Sequence, residues 1–481
     1  MMAYPGQQFD ELTKRLVFPS EHQNPTPKSR YHLVVVGAGP AGLIASISAA
    51  GLGARVALIE SRFMGGDCLN VGCVPSKALL ESTKSETCSF DEAFEWLREV
   101  RSTISEHDSV ERYSQAGVDV FLGEANFNES GELMVEGQVL RARRIALCVG
   151  AGSMMPPIEG LDSSDVLTNE TVFDLRVQPK SLAILGAGPI GCELATVFSR
   201  FGSEVHLLDM ADRVLPQEHP RAGEVVERAL LDLGVNLHLG LEIKKISTSE
   251  DGKRVLTDAG EFVTEEVLIA LGRRPNTKAL ALESVGVMTD SSGAILVDDR
   301  LRTSNKKIYA AGDCVQGSHF THQADMQARV LVQNSLFLPS ASIQKFEIPH
   351  CTYTSPEVAS IGPSDRQLNH DGVRFDEYEI GFSEVDRARV ANQMDGFARV
   401  LTRKGSDAIL SATIVGKDAG EQIALISLLM NNKMGLSKAG NAVFSYPTRS
   451  EFLRKLSDAY NKTRLTPGIV NLLKRWLKWM V

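Results

Sequence analysis

The run Tyr31-His-Leu-Val-Val-Val is apolar at nearly every position and reads as one buried strand. It leads into Gly37-Ala-Gly39-Pro-Ala-Gly42, then a stretch of small residues with helical character, then Arg55-Val-Ala-Leu-Ile, a second strand that ends at Glu60. The same order of elements returns further on. Ser181-Leu-Ala-Ile-Leu is followed by Gly186-Ala-Gly188-Pro-Ile-Gly191, and Glu204-Val-His-Leu-Leu closes on Asp209. A strand, a glycine turn, a helix and an acid at the end of the next strand together form a dinucleotide fingerprint, and two copies in proper context make accidental glycine-rich turns improbable.

The glycines have separate physical tasks. Gly37 makes the tight turn, Gly39 lets a pyrophosphate approach the helix N-terminus, and Gly42 allows close packing of helix on strand, while Glu60 is placed to bind ribose hydroxyls. Gly186, Gly188, Gly191 and Asp209 repeat these tasks. Two dinucleotides in one chain imply electron transfer between them, and FAD with a nicotinamide nucleotide is the natural pair. Asp209 would repel a 2′-phosphate, which favours NADH, while Arg213 nearby keeps NADPH open.

A third pattern carries chemistry. In Gly65-Gly66-Asp67-Cys68-Leu69-Asn70-Val71-Gly72-Cys73-Val74-Pro75-Ser76-Lys77, two cysteines with four residues between them follow the first nucleotide unit, where a thiolate can exchange electrons with a bound cofactor. The helix that follows can stabilise a thiolate at its N-terminus. Asp67 either raises the neighbouring thiol's pKa or caps the helix after it.

Length and composition narrow the setting. A chain of 481 residues exceeds one core and predicts about three domains. A formal charge of -9 argues against nucleic acid as a bulk partner. Seven scattered cysteines are not a secreted disulfide framework, so a reducing, cytoplasmic setting is expected with Cys68 and Cys73 as the exception. Residues 1–30 carry four prolines among charges and are expected to form a loosely ordered arm. No segment has the roughly 18 apolar residues of a membrane span. At the other end, residues 466–481 place Ile469, Leu472, Leu473, Trp476 and Met480 on one helical stripe, with Lys474, Arg475 and Lys478 largely opposite. Such a basic amphipathic helix packs on its own subunit or a dimer partner, or rests on a membrane surface.

These motifs resemble the pyridine nucleotide-disulfide oxidoreductases, the family of glutathione reductase, dihydrolipoamide dehydrogenase and mercuric reductase. Ala270-Leu-Gly272-Arg-Arg-Pro-Asn276 resembles the family's segment closing the nucleotide domain, and Thr303 to Cys314, with Gly312 and Asp313, resembles its second FAD motif. The resemblance implies an α/β fold with two Rossmann-like dinucleotide-binding domains and an α+β dimerisation domain. It implies an FAD domain from residues 31–155 and 286–345, an NAD(P)H domain at 156–285, a dimerisation domain at 346–465 and a homodimer. By the same resemblance Cys73 is the thiol nearest the flavin and Cys68 the interchange thiol. Lys77 and Glu193 resemble an ion pair near the flavin's reactive nitrogen, and Thr321-His-Gln-Ala the start of a helix beneath it.

One segment departs from the glutathione and lipoamide types. Where they carry His-Pro-Thr with a glutamate five residues after the histidine, this chain has Tyr446-Pro-Thr and Glu451. Tyr446 then stands in the general base's place, and a phenol of pKa about 10 takes a thiol proton poorly at pH 7. Mercuric reductase also carries tyrosine here, and the segment from Leu280 to Cys314 resembles that enzyme, yet the chain has no cysteine after Cys351 to match its C-terminal pair. The expected activity is FAD-dependent NAD(P)H oxidation of the mercuric reductase-like kind, with a metal-thiolate, a disulfide or another small acceptor as substrate and no resident metal. Dihydrolipoamide dehydrogenase is the alternative among enzymes, and a redox sensor or membrane-associated electron-transfer partner the alternative outside them.

Overall fold

The computed structural model describes residues 4–85, 87–163, 165–317 and 319–481. The chain divides into two units, Met1–Met210 with Gly234–Gln344, and Ala211–Leu233 with Lys345–Val481.

The first unit contains both nucleotide patterns. Its five-stranded parallel sheet has the order Ile308–Ala310, Ala142–Leu147, Tyr31–Val36, Val56–Glu60, Val118–Leu122. Alternation within these strands explains why they read as continuously apolar: successive residues face opposite sides, and both sides are covered. Leu33, Val35, Val56, Leu58 and Val120 cluster with Leu43, Ala45, Ala328 and Leu331 from the helices Pro40–Gly51 and Thr321–Leu336. Val34, Val36, Ala57, Ile59 and Phe121 cluster with Phe127, Leu133, Val135 and Leu140 on the other side. A second parallel sheet has the order Asn236–Leu239, Glu204–Asp209, Ser181–Leu185, Glu266–Ile269, and the short antiparallel pair Ala151–Ser153 with Arg273–Pro275 accompanies it.

The expected loose N-terminal arm is instead an ordered element of this unit. Gln7–Val17 is a helix, entered through Gly6 at φ 77°, where a Cβ would come within 3.0 Å of the Arg98 side chain. Val17 is fully buried, a burial that contributes roughly 1.5–3 kcal/mol. Its carbonyl accepts from the Met64 amide, and Asp10 accepts from Arg101 Nη2 at 2.6 Å. Further along, Asn24 exchanges two hydrogen bonds with the backbone of Leu122, giving that end of strand Val118–Leu122 a partner.

The second unit is built on a five-stranded antiparallel sheet, Pro349–Thr352, Glu357–Ile361, Ile409–Gly416, Phe397–Arg403, Phe375–Gly381. The helices Ala419–Asn431 and Glu451–Thr463 supply Ile423, Ile426, Phe452 and Leu456 to its core. Pro467–Trp479 forms the last helix, capped by the Thr466 hydroxyl, and no residue in it is buried. Among the described residues no helix is long and apolar enough to cross a membrane.

Candidate active site

The two glycine turns have nearly the same geometry. Gly37 and Gly186 have φ of 98° and 113°, and a Cβ on either would come within about 2.4 Å of a backbone carbonyl oxygen, that of Cys148 or Ala270. Gly42 and Gly191 lie so near the preceding turn that a Cβ would stand 1.8 Å from the oxygen of Gly37 or Gly186. The acids act on the same turns. Glu60 accepts from the Ala38 amide at 2.6 Å and from the Arg62 amide, and Asp209 accepts from the Ala187 amide at 2.6 Å. Each carboxylate therefore braces its own glycine turn, a task the sequence reading had not given it. Burial pushes the Glu60 carboxyl up, against the backbone amides that pull it down.

The first turn opens into a cavity of about 640 Å³. Gly37, Gly39, Glu60, Cys68, Cys73, Gly312 and Asp313 line it, so seven of the residues singled out from the sequence meet in one place. Gly312 has φ 79° and its amide donates to Gln327 Oε1 at 2.7 Å. Residues without a signal of their own join them. Tyr4, Asp10, Thr13 and Lys14 of the N-terminal segment form part of the wall, with Arg101 and Arg176.

Cys68 lies in the short helix Gly66–Asn70, and Cys73 begins the helix Cys73–Ser82. Both are free thiols. A hydrogen bond from Cys68, the Thr321 hydroxyl 3.5 Å away and the charge of Lys77 outweigh burial and lower the Cys73 thiol to about 6, which favours its thiolate over that of Cys68. The same pairing, with burial, pushes the Cys68 thiol up, and that sulfur keeps its proton. Lys77 donates to Glu193 Oε2 at 2.7 Å, and Glu193 is nearly buried, which makes the expected ion pair real.

The cysteine pair separates two spaces. Cys73 lines the large cavity, while Cys68 and Thr321 line both it and a second cavity of about 330 Å³, walled mainly by apolar side chains such as Ile44, Ile47, Leu69 and Ile104.

Asp67 takes neither of the two places expected for it. Gly72 is the N-cap of the helix that follows, Cys73–Ser82, and no side chain caps it. Asp67 instead pairs with Arg273, which also donates to the Ala151 carbonyl and stands 3.7 Å from Asp313. Arg273 thus ties the cysteine helix to the strand pair and to the Gly312-Asp313 turn. Its buried Nε has no hydrogen-bond acceptor among the described residues. Burial pushes the Asp313 carboxyl up, opposed by Arg273.

Gly272 has φ 121°, and its carbonyl accepts from the Met154 amide at 2.9 Å. His322 stacks on Phe320 with centroids 5.5 Å apart, a packing role. Tyr446 and Glu451 belong to the second unit. The Tyr446 hydroxyl is exposed and donates to Asp386 at 3.1 Å, which raises its pKa further and keeps it protonated. Glu451 opens the helix Glu451–Thr463 and lies 3.6 Å from Lys455.

Residues 31–328 match the family Pyridine nucleotide-disulphide oxidoreductase, and residues 348–457 match its dimerisation domain. The chain belongs to this oxidoreductase family. It is 31% identical to the mercuric reductase of Lysinibacillus sphaericus, over 90% of this chain and 83% of that one. It is equally 31% identical to the dihydrolipoyl dehydrogenase of Bacillus subtilis strain 168, over 88% and 95% of the two chains. Among solved structures it resembles the Cu(II) complex of the HOCl-induced flavoprotein disulfide reductase RclA from Escherichia coli, with 28% identity, a TM-score of 0.83 and coverage of 90% and 100%.

As an oxidoreductase of this family the chain uses FAD and NAD(P)H, and its dimerisation domain makes it a homodimer. The first cavity fits FAD on its own evidence. Its glycine turn has no room for a Cβ, the helix Pro40–Gly51 points its N-terminus inward, and the buried Arg273 Nε lacks an acceptor beside Asp313.

Proposed function

We propose that this oxidoreductase passes two electrons from NADH through FAD to the Cys68–Cys73 pair, and from Cys68 to a small acceptor, a disulfide or a metal-thiolate. The observation that carries the reading is the position of the pair: Cys73 lines only the first of the two cavities, and Cys68 lines both. FAD, when bound, takes a hydride from the nicotinamide and returns electrons to the cysteine pair. Gly37, Gly39 and the N-terminus of Pro40–Gly51 would hold its pyrophosphate, with Glu60 at the ribose end and Gly312-Asp313 at the ribityl end. Cys73 supplies the thiolate on that side, stabilised by Thr321 and Lys77, and Glu193 holds Lys77 in position. Gly186, Gly188, Gly191 and Asp209 are assigned to the nicotinamide nucleotide, with Gly272 closing that segment. NADH is preferred because Asp209 is anionic and Arg213 is engaged with the carbonyls of Pro216 and Glu218.

The domain limits proposed are 31–155 with 286–345 for FAD and 156–285 for the nicotinamide. Their support is the pairing of Ile308–Ala310 beside Ala142–Leu147, which returns the later segment to the first sheet. Residues 346–465 are proposed as the dimerisation domain, with Tyr446 and Glu451 in the histidine-glutamate place. Because the Tyr446 hydroxyl donates to Asp386 and keeps its own proton, it cannot take one from a thiol, and dihydrolipoamide is the poorer substrate. The helix Pro467–Trp479 is read as a docking element for an anionic bilayer, since its apolar side chains are exposed and Lys474, Arg475 and Lys478 have no acid beside them from 466 to 481.

Anaerobic titration with NADH and NADPH, followed by Hg(II), lipoamide and glutathione disulfide as acceptors, tests the scheme. The expected result is a long-wavelength charge-transfer band on two-electron reduction, absent in Cys73→Ser, with NADH the better donor. A band that survives Cys73→Ser overturns the cysteine assignment. Tyr446→His should speed lipoamide turnover, and no change refutes the account of that tyrosine. Co-sedimentation with phosphatidylserine vesicles that persists after deletion of 466–481, or a dimer that dissociates on that deletion, overturns the bilayer reading.

A further inference from the structure

The protonated Cys68 thiol needs a base, and Tyr446 is badly suited to be one. The second cavity holds a different candidate. Asp108, in the turn between the helices Phe90–Ser105 and Val110–Gln115, lines the 330 Å³ cavity together with Cys68. Among the described residues no group donates a hydrogen bond to its carboxylate, although its backbone amide is bound to the Ser105 carbonyl. Its surroundings are chiefly apolar, with Leu43, Ile44, Ile47, Leu69 and Ile104 in the same wall. The Asp108 carboxylate thus shares a largely apolar wall with the interchange cysteine, is only partly exposed, and its charge reaches the Cys68 sulfur.

We infer that Asp108 is the acid–base group of Cys68. The inference rests on the proposed role of Cys68. As the carboxylate, Asp108 takes the Cys68 proton while that sulfur attacks an acceptor disulfide. The acceptor's S–S bond breaks and a mixed disulfide forms on Cys68. Asp108, now a carboxylic acid, gives the same proton to the departing sulfur. The Cys73 thiolate then attacks Cys68 Sγ, restores the Cys68–Cys73 disulfide and expels the second sulfur as a thiolate. Two electrons have left the cysteine pair, one proton has moved with the first leaving group, and the charge of the Cys73 thiolate has left with the second. The mainly apolar walls of the cavity favour a small, neutral, apolar disulfide as the acceptor.

The electrostatics agree with the geometry. Burial raises the Asp108 carboxyl toward the range in which it can both take and give a proton, opposed by Arg112 and His107. The groups around it are His107 on its own turn, Arg112 and Tyr113 on Val110–Gln115, Cys68 on Gly66–Asn70 and Asp325 on Thr321–Leu336. Arg112 donates to the His107 carbonyl, and Asp325 is paired with Arg329 at 3.1 Å, so neither neutralises Asp108 by direct contact. The charge of Asp108 registers on the Cys68 thiol and makes it harder to ionise unaided.

The test uses the holoenzyme and lipoamide, a neutral cyclic disulfide. In Asp108→Asn, NADH should reduce the flavin at the wild-type rate, while reoxidation of the reduced enzyme by lipoamide slows by about a hundredfold, the lower range for a lost acid–base group. Asp108→Glu should recover most of that loss. Alkylation of Cys68 by iodoacetamide in the NADH-reduced enzyme should have its pH midpoint moved downward in Asp108→Asn, because a negative charge has gone. A thiol that ionises more readily yet exchanges more slowly is not what misfolding produces. Reoxidation of Asp108→Asn at the wild-type rate overturns the inference, as does parallel loss of flavin reduction, alkylation and exchange in both variants. If the wild type reduces its flavin and passes nothing to lipoamide, the acceptor reading fails, and the alkylation midpoint alone decides the role of Asp108.

Discussion

The two glycine units share their turns to within a few tenths of an ångström and differ in what lies above them. Over the first, the short helix bearing Cys68 comes down so closely that a Cβ on Gly66 would stand 2.6 Å from Gly39 Cα. Over the second, a Cβ on Gly188 would meet nothing within 4 Å. The N-terminal helix adds a further wall to the first site through Asp10, Thr13 and Lys14. The fingerprint therefore specifies a dinucleotide, and its surroundings specify how long the dinucleotide stays. A roofed turn suits a cofactor kept through every cycle, and an open one suits a substrate that exchanges in each.

The most severe way to break this comparison is to block both turns alike. Gly42→Ala and Gly191→Ala insert the same methyl against the same backbone oxygen, an overpacking of about 3 kcal/mol. Gly42→Ala should be isolated without flavin, whereas Gly191→Ala should keep its flavin and lose reduction by NADH. Flavin loss from both would mean that the two sites are not separable. A milder probe removes part of the roof. Asp10→Ala leaves the buried Arg98 and Arg101 short of a counter-charge, at a cost of about 3 kcal/mol. FAD should then dissociate at lower urea, read by the rise in free-flavin fluorescence, with the KM for NADH unchanged.

Smaller effects sharpen the contrast. Asp209→Ser removes the brace on the Ala187 amide and the acid proposed to hold the ribose, worth roughly 1.5 kcal/mol, and should reduce the preference for NADH over NADPH by about tenfold. Flavin content should stay the same. The last probe is a proton. Because Cys73 is lowered to about 6, the charge-transfer band of the reduced enzyme should be full above that pH and fade as pH falls through it. Lys77→Met removes a positive charge that favours the thiolate, so the midpoint should move upward by on the order of one unit. A downward move would show that Lys77 acts through something other than its charge.

What was legible in the sequence was what is local. Each glycine turn lies within 24 residues of its acid, from Gly37 to Glu60 and from Gly186 to Asp209, and the cysteine pair lies within one short run. The Lys77–Glu193 pair, 116 residues apart, came from family resemblance alone. The N-terminal helix was missed because its prolines lie outside Gln7–Val17 and yet dominate the composition of the segment. Its charges find partners 91 residues on, at Arg101, which no local pattern announces. Asp67 was read against its neighbours, while its partner Arg273 is 206 positions away. Asp108 carries no motif at all. It acquires meaning only when the fold brings its turn to the same cavity as Cys68.

The return of Ile308–Ala310 to the first sheet bears on the order in which the protein is made. The strands from Tyr31 to Leu147 emerge early from the ribosome, but the edge strand and the Gly312-Asp313 turn that complete the first cavity arrive more than 150 residues later. By then Ser181–Asp209 has already been synthesised and can fold as a local unit. The nascent chain can thus form its second glycine turn before it can complete the cavity over the first. The wall of the first cavity is therefore closed by its latest-made residues, and the turn at its base must wait for them.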